Sequence, residues 1–297
     1  MAVLRSDAGV LGAAGNGRGI LAILVAMAAL VVNDVLIKLV ARDLATGEII
    51  AIRGGFATLI IVLIAWRQGA LPNRRLLRER VISYRLVGEI GATALFLSAL
   101  FHMPIGLVTA IMQVVPLAVT AGAAAFLGER VGWRRWIAAG AGFVGVLAII
   151  RPGTVAFTPW ALVAIAAVVF VALRDLATRR IPADIASLQV TVLTAASVTL
   201  LGLAMSPLEV WVVPTGLQLA KLAGASVLLL SAYFLMIVAM RVAEVSVVAP
   251  FRYSIVIWAL AMGYVVWGEV PDMAAIMGTT LVTGAGLYVF WRERALA

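Results

Sequence analysis

The chain has 297 residues and a formal net charge of +9, yet it is 64% hydrophobic and only 12% charged, with a mean hydropathy of +1.12. Soluble domains carry about 25% charged residues, so too little polar surface is available to coat a globule in water. Cysteine is absent and His102 is the single histidine, which excludes disulfides, iron–sulfur clusters and thiol catalysis and speaks against a zinc enzyme or any other metal site.

Residues 1–19 place Arg5, Asp7 and Arg18 among Gly and Ala without a separate short apolar core. That is a poor signal peptide, and a flexible cytoplasmic tail is expected there. The stretch from Gly15 to Gly19 follows no strand and is not a phosphate loop. Ten apolar segments follow, at 20–40, 47–66, 86–103, 105–127, 132–150, 158–176, 184–204, 217–240, 245–267 and 273–291. Each is near the ~20 residues that cross ~30 Å of hydrocarbon. The fold class expected is therefore an all-α integral membrane protein with ten transmembrane helices.

An ionisable residue inside such a segment costs roughly 2.5–3.5 kcal/mol on insertion scales, so each needs a reason. In the first segment Asp34 and Lys38 are spaced i,i+4, which allows an ion pair, and Arg53 opens the second segment on the same side. Two readings stay open for this group. It is either a structural charge cluster at the outer rim with a snorkelling Lys38, or an outer gate where Arg53 meets a substrate carboxylate. Glu89 in the third segment and Arg252 in the ninth lie at matching depths, so they are expected to pair, with Arg85 competing at i,i−4. Glu89 either serves as that structural partner or takes up a proton when desolvation raises its pKa.

Nearer the midplane the side chains are neutral: Asn33, Gln113, Tyr233, Tyr253 and Trp258. Gln113 precedes Pro116, which cannot donate a helical hydrogen bond and frees a carbonyl nearby, a suitable place for a substrate's polar atoms. Tyr253 and Trp258 either stack on a planar solute or pack between helices, and Arg252 with Tyr253 could hold an acidic, partly apolar ligand. Gly140, Gly142 and Gly145, and Gly278, Gly284 and Gly286, permit close helix approach, within one chain or between two copies.

The fourth segment ends in Gly128-Glu129 and the ninth in Gly268-Glu269, a separation of 140 residues in a chain of 297. This duplication predicts a first unit at 20–152, a second at 153–292 and a short tail at 293–297. Counting alternate sides, seventeen Lys and Arg residues fall on one side and four on the other. By the positive-inside rule the rich side, with both termini, is cytoplasmic. Five segments per unit then make the second copy inverted relative to the first, an architecture that recurs in secondary carriers. Glu129 and Glu269 are expected at helix ends, bonding the next helix's N-terminal amides, and so mark structure rather than substrate.

Taken together, the fourth and fifth segments with their Gly-Glu junction, their counterparts from Val248-Ala249-Pro250 to Arg292, and Ile52-Arg53-Gly54 resemble the EamA-type branch of the drug/metabolite transporter superfamily. The resemblance runs from about residue 20 to the end and implies a ten-helix carrier with a central cavity for small organic solutes. Members of that group handle amino acids, vitamins, S-adenosylmethionine, sugars, metallophores and drugs. The copies differ in one respect: Pro116 lies twelve residues before Gly128, whereas Val256 stands at that offset before Gly268.

The expected activity is secondary transport of an amino-acid-like, zwitterionic or anionic metabolite across a bacterial-type inner membrane, by a monomer or homodimer. The alternative is uptake of a vitamin or nucleoside-like cofactor of the riboflavin or S-adenosylmethionine type. No bound cofactor is expected. The arginines lie between apolar runs, which points to lipid headgroups and not to nucleic acid. An enzyme is not expected either, because no paired catalytic aspartates or Ser–His dyad lies near mid-membrane. A channel would need no inverted halves.

Overall fold

The computed structural model describes residues 3–72, 76–127, 132–154, 157–182, 184–243 and 245–294. Among them every regular element is helical. The helices are α1 (Val3–Val40), α2 (Thr46–Arg67), α3 (Arg80–His102), α4 (Ile105–Met112), α5 (Val115–Leu127), α6 (Trp133–Ile150), α7 (Pro159–Thr178), α8 (Ser187–Met205), α9 (Gly216–Val242), α10 (Val245–Val248), α11 (Ser254–Trp267) and α12 (Met273–Arg294). Eight stretches are long and apolar enough to cross a membrane, and two shorter apolar helices, Trp136–Ile150 and Met273–Val289, bring the number to the expected ten. Large apolar side chains such as Leu59, Val169, Phe234, Ile257 and Val265 stand exposed, a surface suited to acyl chains and not to water.

Helix α1 starts earlier than expected. Residues 15–19 are helical and not a flexible tail, because Gly19 lets the helix lie close against Ala243 and Val248. Two of the crossings are interrupted. The fourth breaks at Gln113–Val114, whose N–H groups bond the carbonyls of Ala110 and Ile111 in a tightened turn before α5 resumes. Pro116, which has no N–H to return into the helix, sits just past the break. The ninth crossing begins as α10 and a 3₁₀ turn, Ala249–Tyr253, with Pro250 inside it. A proline accompanies each break, just past the first and inside the second, as the unequal offsets imply.

Each of the four most extensive packings joins a helix of the first half to one of the second, α1 with α9, α2 with α8, α3 with α7 and α6 with α12, and α4 packs on α11 in the same way over a smaller area. Between α6 and α12 the backbones touch. A Cβ on Gly145 would stand 2.8 Å from the carbonyl oxygen of Gly278, and Gly142 is covered by Leu117. Gly140 and Gly284, expected at such contacts, face open space instead, while Gly286 is covered by the Tyr253 ring.

The apolar core is unevenly distributed. One large cluster joins Val40, Ile49, Leu100, Ile105, Leu222 and Ala259, drawn from α1, α2, α3, α4, α9 and α11. A second large cluster, around Met103, Ile111, Ile149 and Ala161, lies at the same end. Toward the other end the described residues form only small clusters, each holding two or three helices. The bundle is therefore tied together at the Lys38 end and joined only locally at the other.

Candidate functional site

At the Lys38 end the Gly-Glu pair shows its purpose. Gly268 adopts φ 68°, and its N–H bonds the carbonyls of Gly263 and Tyr264, which terminates α11. This left-handed residue is one that glycine reaches without strain. The turn sends Glu269 back across the bundle, where its Oε2 accepts the N–H of Ile105 at 2.9 Å. The helix capped is thus α4. The expectation that Glu269 bonds the next helix, α12, is corrected: Asp272 occupies that place, accepting the Ala275 N–H at 3.0 Å. Gly128 and Glu129 lie outside the described residues.

Lys38 completes the arrangement. Its Nζ donates to the Met103 carbonyl at 2.5 Å and lies 3.2 Å from Glu269 Oε1 and 4.8 Å from the centre of the Trp267 ring. A cation therefore sits on the Met103 carbonyl just past α3, and an anion on the first amide of α4, where it matches that helix's dipole. This corrects the expected Asp34–Lys38 pair: Lys38 reaches Glu269, while Asp34 is held by Asn33. Beside the latch lies a cavity of about 270 Å³, lined by Leu107, Ile149, Arg151, Leu260, Gly263 and Glu269, among others.

Arg151 also pairs with Asp272. The Ala275 N–H and the Arg151 guanidinium hold the Asp272 carboxyl below its ordinary value of 3.8. A depressed carboxyl adds stability above its unfolded value and loses it as the pH falls through the folded one. Asp272→Asn should therefore lower the melting temperature slightly at neutral pH, with the gap closing once the pH drops below 3.8. Equal gaps at both pH values would show that the charge contributes nothing.

Deeper in the bundle lies a group of polar side chains. Asn33, on α1 and 2% exposed, donates from Nδ2 to Asp34 Oδ1 at 2.9 Å and accepts from Arg53 Nη1 at 3.4 Å. Arg53, on α2 and 9% exposed, has no ion-pair partner among the described residues, and its Nε finds no acceptor. Glu89 on α3 lies 3.6 Å from Arg174 on α7 and 3.9 Å from Arg85. Arg174 also reaches Asp175 at 2.9 Å, and Arg85 bonds the Thr194 hydroxyl on α8 at 2.5 Å. The expected Glu89–Arg252 pair does not form: depth along the chain matched, but α3 packs on α7, and Arg252 is exposed in the 3₁₀ turn.

Tyr233 marks the space these groups share. It lies in the middle of the 27-residue helix α9 and is 47% exposed. Arg53, Asp34, Glu89 and Arg174, from four other helices, all act on it electrostatically. A tyrosine beside so many charges belongs with this polar group. The structure thus brings together Asn33, Asp34, Arg53, Glu89 and Tyr233. Among the described residues, no hydrogen bond or ion pair ties the side chains of Gln113, Arg252, Tyr253 or Trp258 to this group. Tyr253 packs on Gly286 of α12, and Trp258 lies off the buried Val256–Ala259–Gly263 face of α11. Arg174 and Asp175 were missed in the sequence, although segment 158–176 contains both. Asp175 follows Asp34 by 141 residues, close to the Gly-Glu spacing, and that was the available signal.

A groove of about 850 Å³ lies elsewhere, between α6 and α12. Its lining is mostly apolar, including Ile137, Ala141, Val144, Met277 and Leu281, with Arg134, Thr280 and Tyr288 as its polar members.

Eight helices long and apolar enough to cross a membrane, two shorter apolar ones and a buried group of polar and charged side chains among them fit a multi-pass membrane transport protein. Two stretches, residues 17–151 and 158–291, match the EamA-like transporter family. The chain belongs to that family. It is 23% identical over 274 residues to the S-adenosylmethionine uptake transporter of Rickettsia prowazekii, covering 89% of each chain. It is 26% identical over 239 residues to the riboflavin transporter of Rhizobium johnstonii (80% of this chain, 79% of the relative). To the pseudopaline exporter CntI of Pseudomonas aeruginosa it is 25% identical over 270 residues (90% and 94%). One crystal structure aligns with a TM-score of 0.62 at 19% identity, over 92% of this chain and 96% of its own, a likeness of fold alone.

Proposed function

We propose that the protein is a secondary active transporter that moves a small amino-acid-like metabolite, zwitterionic or anionic, across the inner membrane by alternating access. The observation that carries this reading is the lopsided bundle: a sealed, latched end above a charged chamber joined only locally at the other end. The pairings of α1 with α9, α2 with α8, α3 with α7, α6 with α12 and α4 with α11 map onto themselves when residues 20–152 and 153–292 exchange roles, which supports two five-helix repeats. With the arginine-rich side and both termini in the cytoplasm, the Lys38 end faces outward and the chamber faces inward. The Gly145–Gly278 seam lies within one chain, which favours packing inside a monomer over a homodimer contact, with lipid filling the α6–α12 groove.

In this reading Asn33, Asp34, Arg53 and Tyr233 meet the solute, and Glu89 is anchored by Arg85 and Arg174. The break beside Gln113 and the turn holding Arg252 and Tyr253, with Trp258 just beyond, supply flexible points near the chamber. One relative is named for S-adenosylmethionine uptake and another for riboflavin transport, which favours a vitamin or nucleoside-like cofactor as the second reading of the cargo.

Counterflow into proteoliposomes over amino acids, flavins, S-adenosylmethionine and metallophores tests the carrier reading. Saturable exchange of at least one organic solute is expected, and none at all would overturn it. Glu89→Gln tests the anchor. Loss of transport at every pH is expected, because Arg85 and Arg174 lose their carboxylate. A variant that keeps its flux but loses the pH dependence would assign Glu89 to proton coupling instead.

A further inference from the structure

The geometry points to a two-pole recognition site for an α-amino-acid group, with Arg53 as the carboxylate pole and Asp34 as the ammonium pole. This inference rests on the carrier reading above.

A guanidinium as buried as Arg53 is costly unless a counter-ion and hydrogen bonds satisfy it. Among the described residues, one long bond to Asn33 is all its side chain has, and Nε is left without a partner. Asp34 is the obvious counter-ion, yet no ion pair forms. The Asn33 side-chain amide stands between the two and engages both, with its N–H toward Asp34 and its oxygen toward Arg53. An amide placed this way keeps the opposite charges near each other without letting them neutralise. Ser226 strengthens the separation by donating to the Arg53 carbonyl at 2.9 Å, which fixes the α2 backbone against α9.

The distance between the poles selects the ligand. The two bonds to Asn33 measure 2.9 and 3.4 Å, and an amide O and N are about 2.3 Å apart. Asp34 Oδ1 and Arg53 Nη1 are therefore at most about 9 Å from each other. In an α-amino acid the ammonium and carboxylate atoms are separated by about 3 Å. With one charge-assisted bond of about 2.8 Å at each end, the ligand spans about 8.6 Å. A dicarboxylate would place a second anion against Asp34, and a simple amine would leave Arg53 unsatisfied. The exposed Tyr233 ring beside the poles supplies a face for whatever the amino-acid group carries.

Binding to purified protein in nanodiscs tests this with matched probes. The first set is S-adenosylmethionine, its decarboxylated form and methylthioadenosine. The second is methionine, its methyl ester and N-acetylmethionine, and the standard amino acids and riboflavin complete the panel. The intact zwitterion is expected to bind about 10- to 100-fold tighter than the analogue lacking either charge, as charged hydrogen bonds imply. In Arg53→Gln the penalty for losing the carboxylate should collapse to near onefold while the penalty for losing the ammonium remains. Asp34→Asn should show the reverse. The analogue comparison uses the unaltered chain, so it holds even if a variant fails to fold. Equal binding of zwitterion and analogues would overturn the site. Transport of riboflavin with no binding of any amino-acid zwitterion would overturn the site and leave the carrier reading intact. No transport of any solute would remove both.

Discussion

Glu269→Ala is expected to unlatch the Lys38 end of the protein. Lys38, whose side chain is 11% exposed, would lose its carboxylate, and the first amide of α4 would lose its acceptor. Removing one partner of a buried pair costs about 3–5 kcal/mol. Glu269 is itself 21% exposed, so a shift of about 2–3 kcal/mol against the closed end is expected, or roughly 30- to 150-fold in the closed-to-open ratio. The absence of native cysteine makes this measurable. A cysteine placed at Ala225, in the sealed core, should react with an impermeant maleimide at least tenfold faster in the Glu269→Ala background. Lys38→Met with Glu269→Gln should restore slow labelling, because no charge is left unpaired and the glutamine oxygen can still accept from Ile105. Unchanged labelling in Glu269→Ala would mean that the apolar core alone keeps this end shut.

The second large effect is expected at the α6–α12 seam. A Cβ at Gly145 meets the Gly278 carbonyl and Val282 Cγ2 at 2.8 Å, and neither helix backbone can yield without moving the whole pair. Gly145→Val should destabilise by about 3 kcal/mol or more, at the upper end for overpacking, and should abolish a monodisperse elution peak. Gly145→Ala should already lower the melting temperature. Gly140→Ala, one and a half turns away with nothing within 4 Å of the new methyl, should be neutral or raise it, since alanine gains about 1 kcal/mol over glycine in a helix. A similar loss at both positions would mean that flexibility, and not close approach, is what these glycines provide.

Eight of the ten apolar helices were legible because each is a run of apolar residues as long as the hydrocarbon is thick, and the other two because they are shorter runs of the same kind. The two breaks were announced by Pro116 and Pro250. Partners were harder to read. Matching depth suggested Glu89 with Arg252, but depth fixes position along the membrane normal and says nothing about direction around a helix. Arg174 was counted with the cytoplasmic charges although its helix continues past it, so the true partner of Glu89 was hidden. The Gly-Glu motif correctly marked a helix end. Only the left-handed turn at Gly268 shows that the carboxylate goes to α4, 164 residues back along the chain. Asn33 looked like one of several neutral midplane residues, and its contact with both Asp34 and Arg53 depends on how α1 and α2 face each other.

The uneven core carries a thermal consequence. Opening the Lys38 end exposes Ile49, Leu100, Ile105 and Leu222, whereas closing the opposite end has less apolar surface to gain among the described clusters. Wetting apolar surface raises heat capacity, so the balance between the two facing states should itself bend with temperature. Turnover limited by that switch would give a curved Arrhenius plot in a bilayer that undergoes no phase transition over the same range.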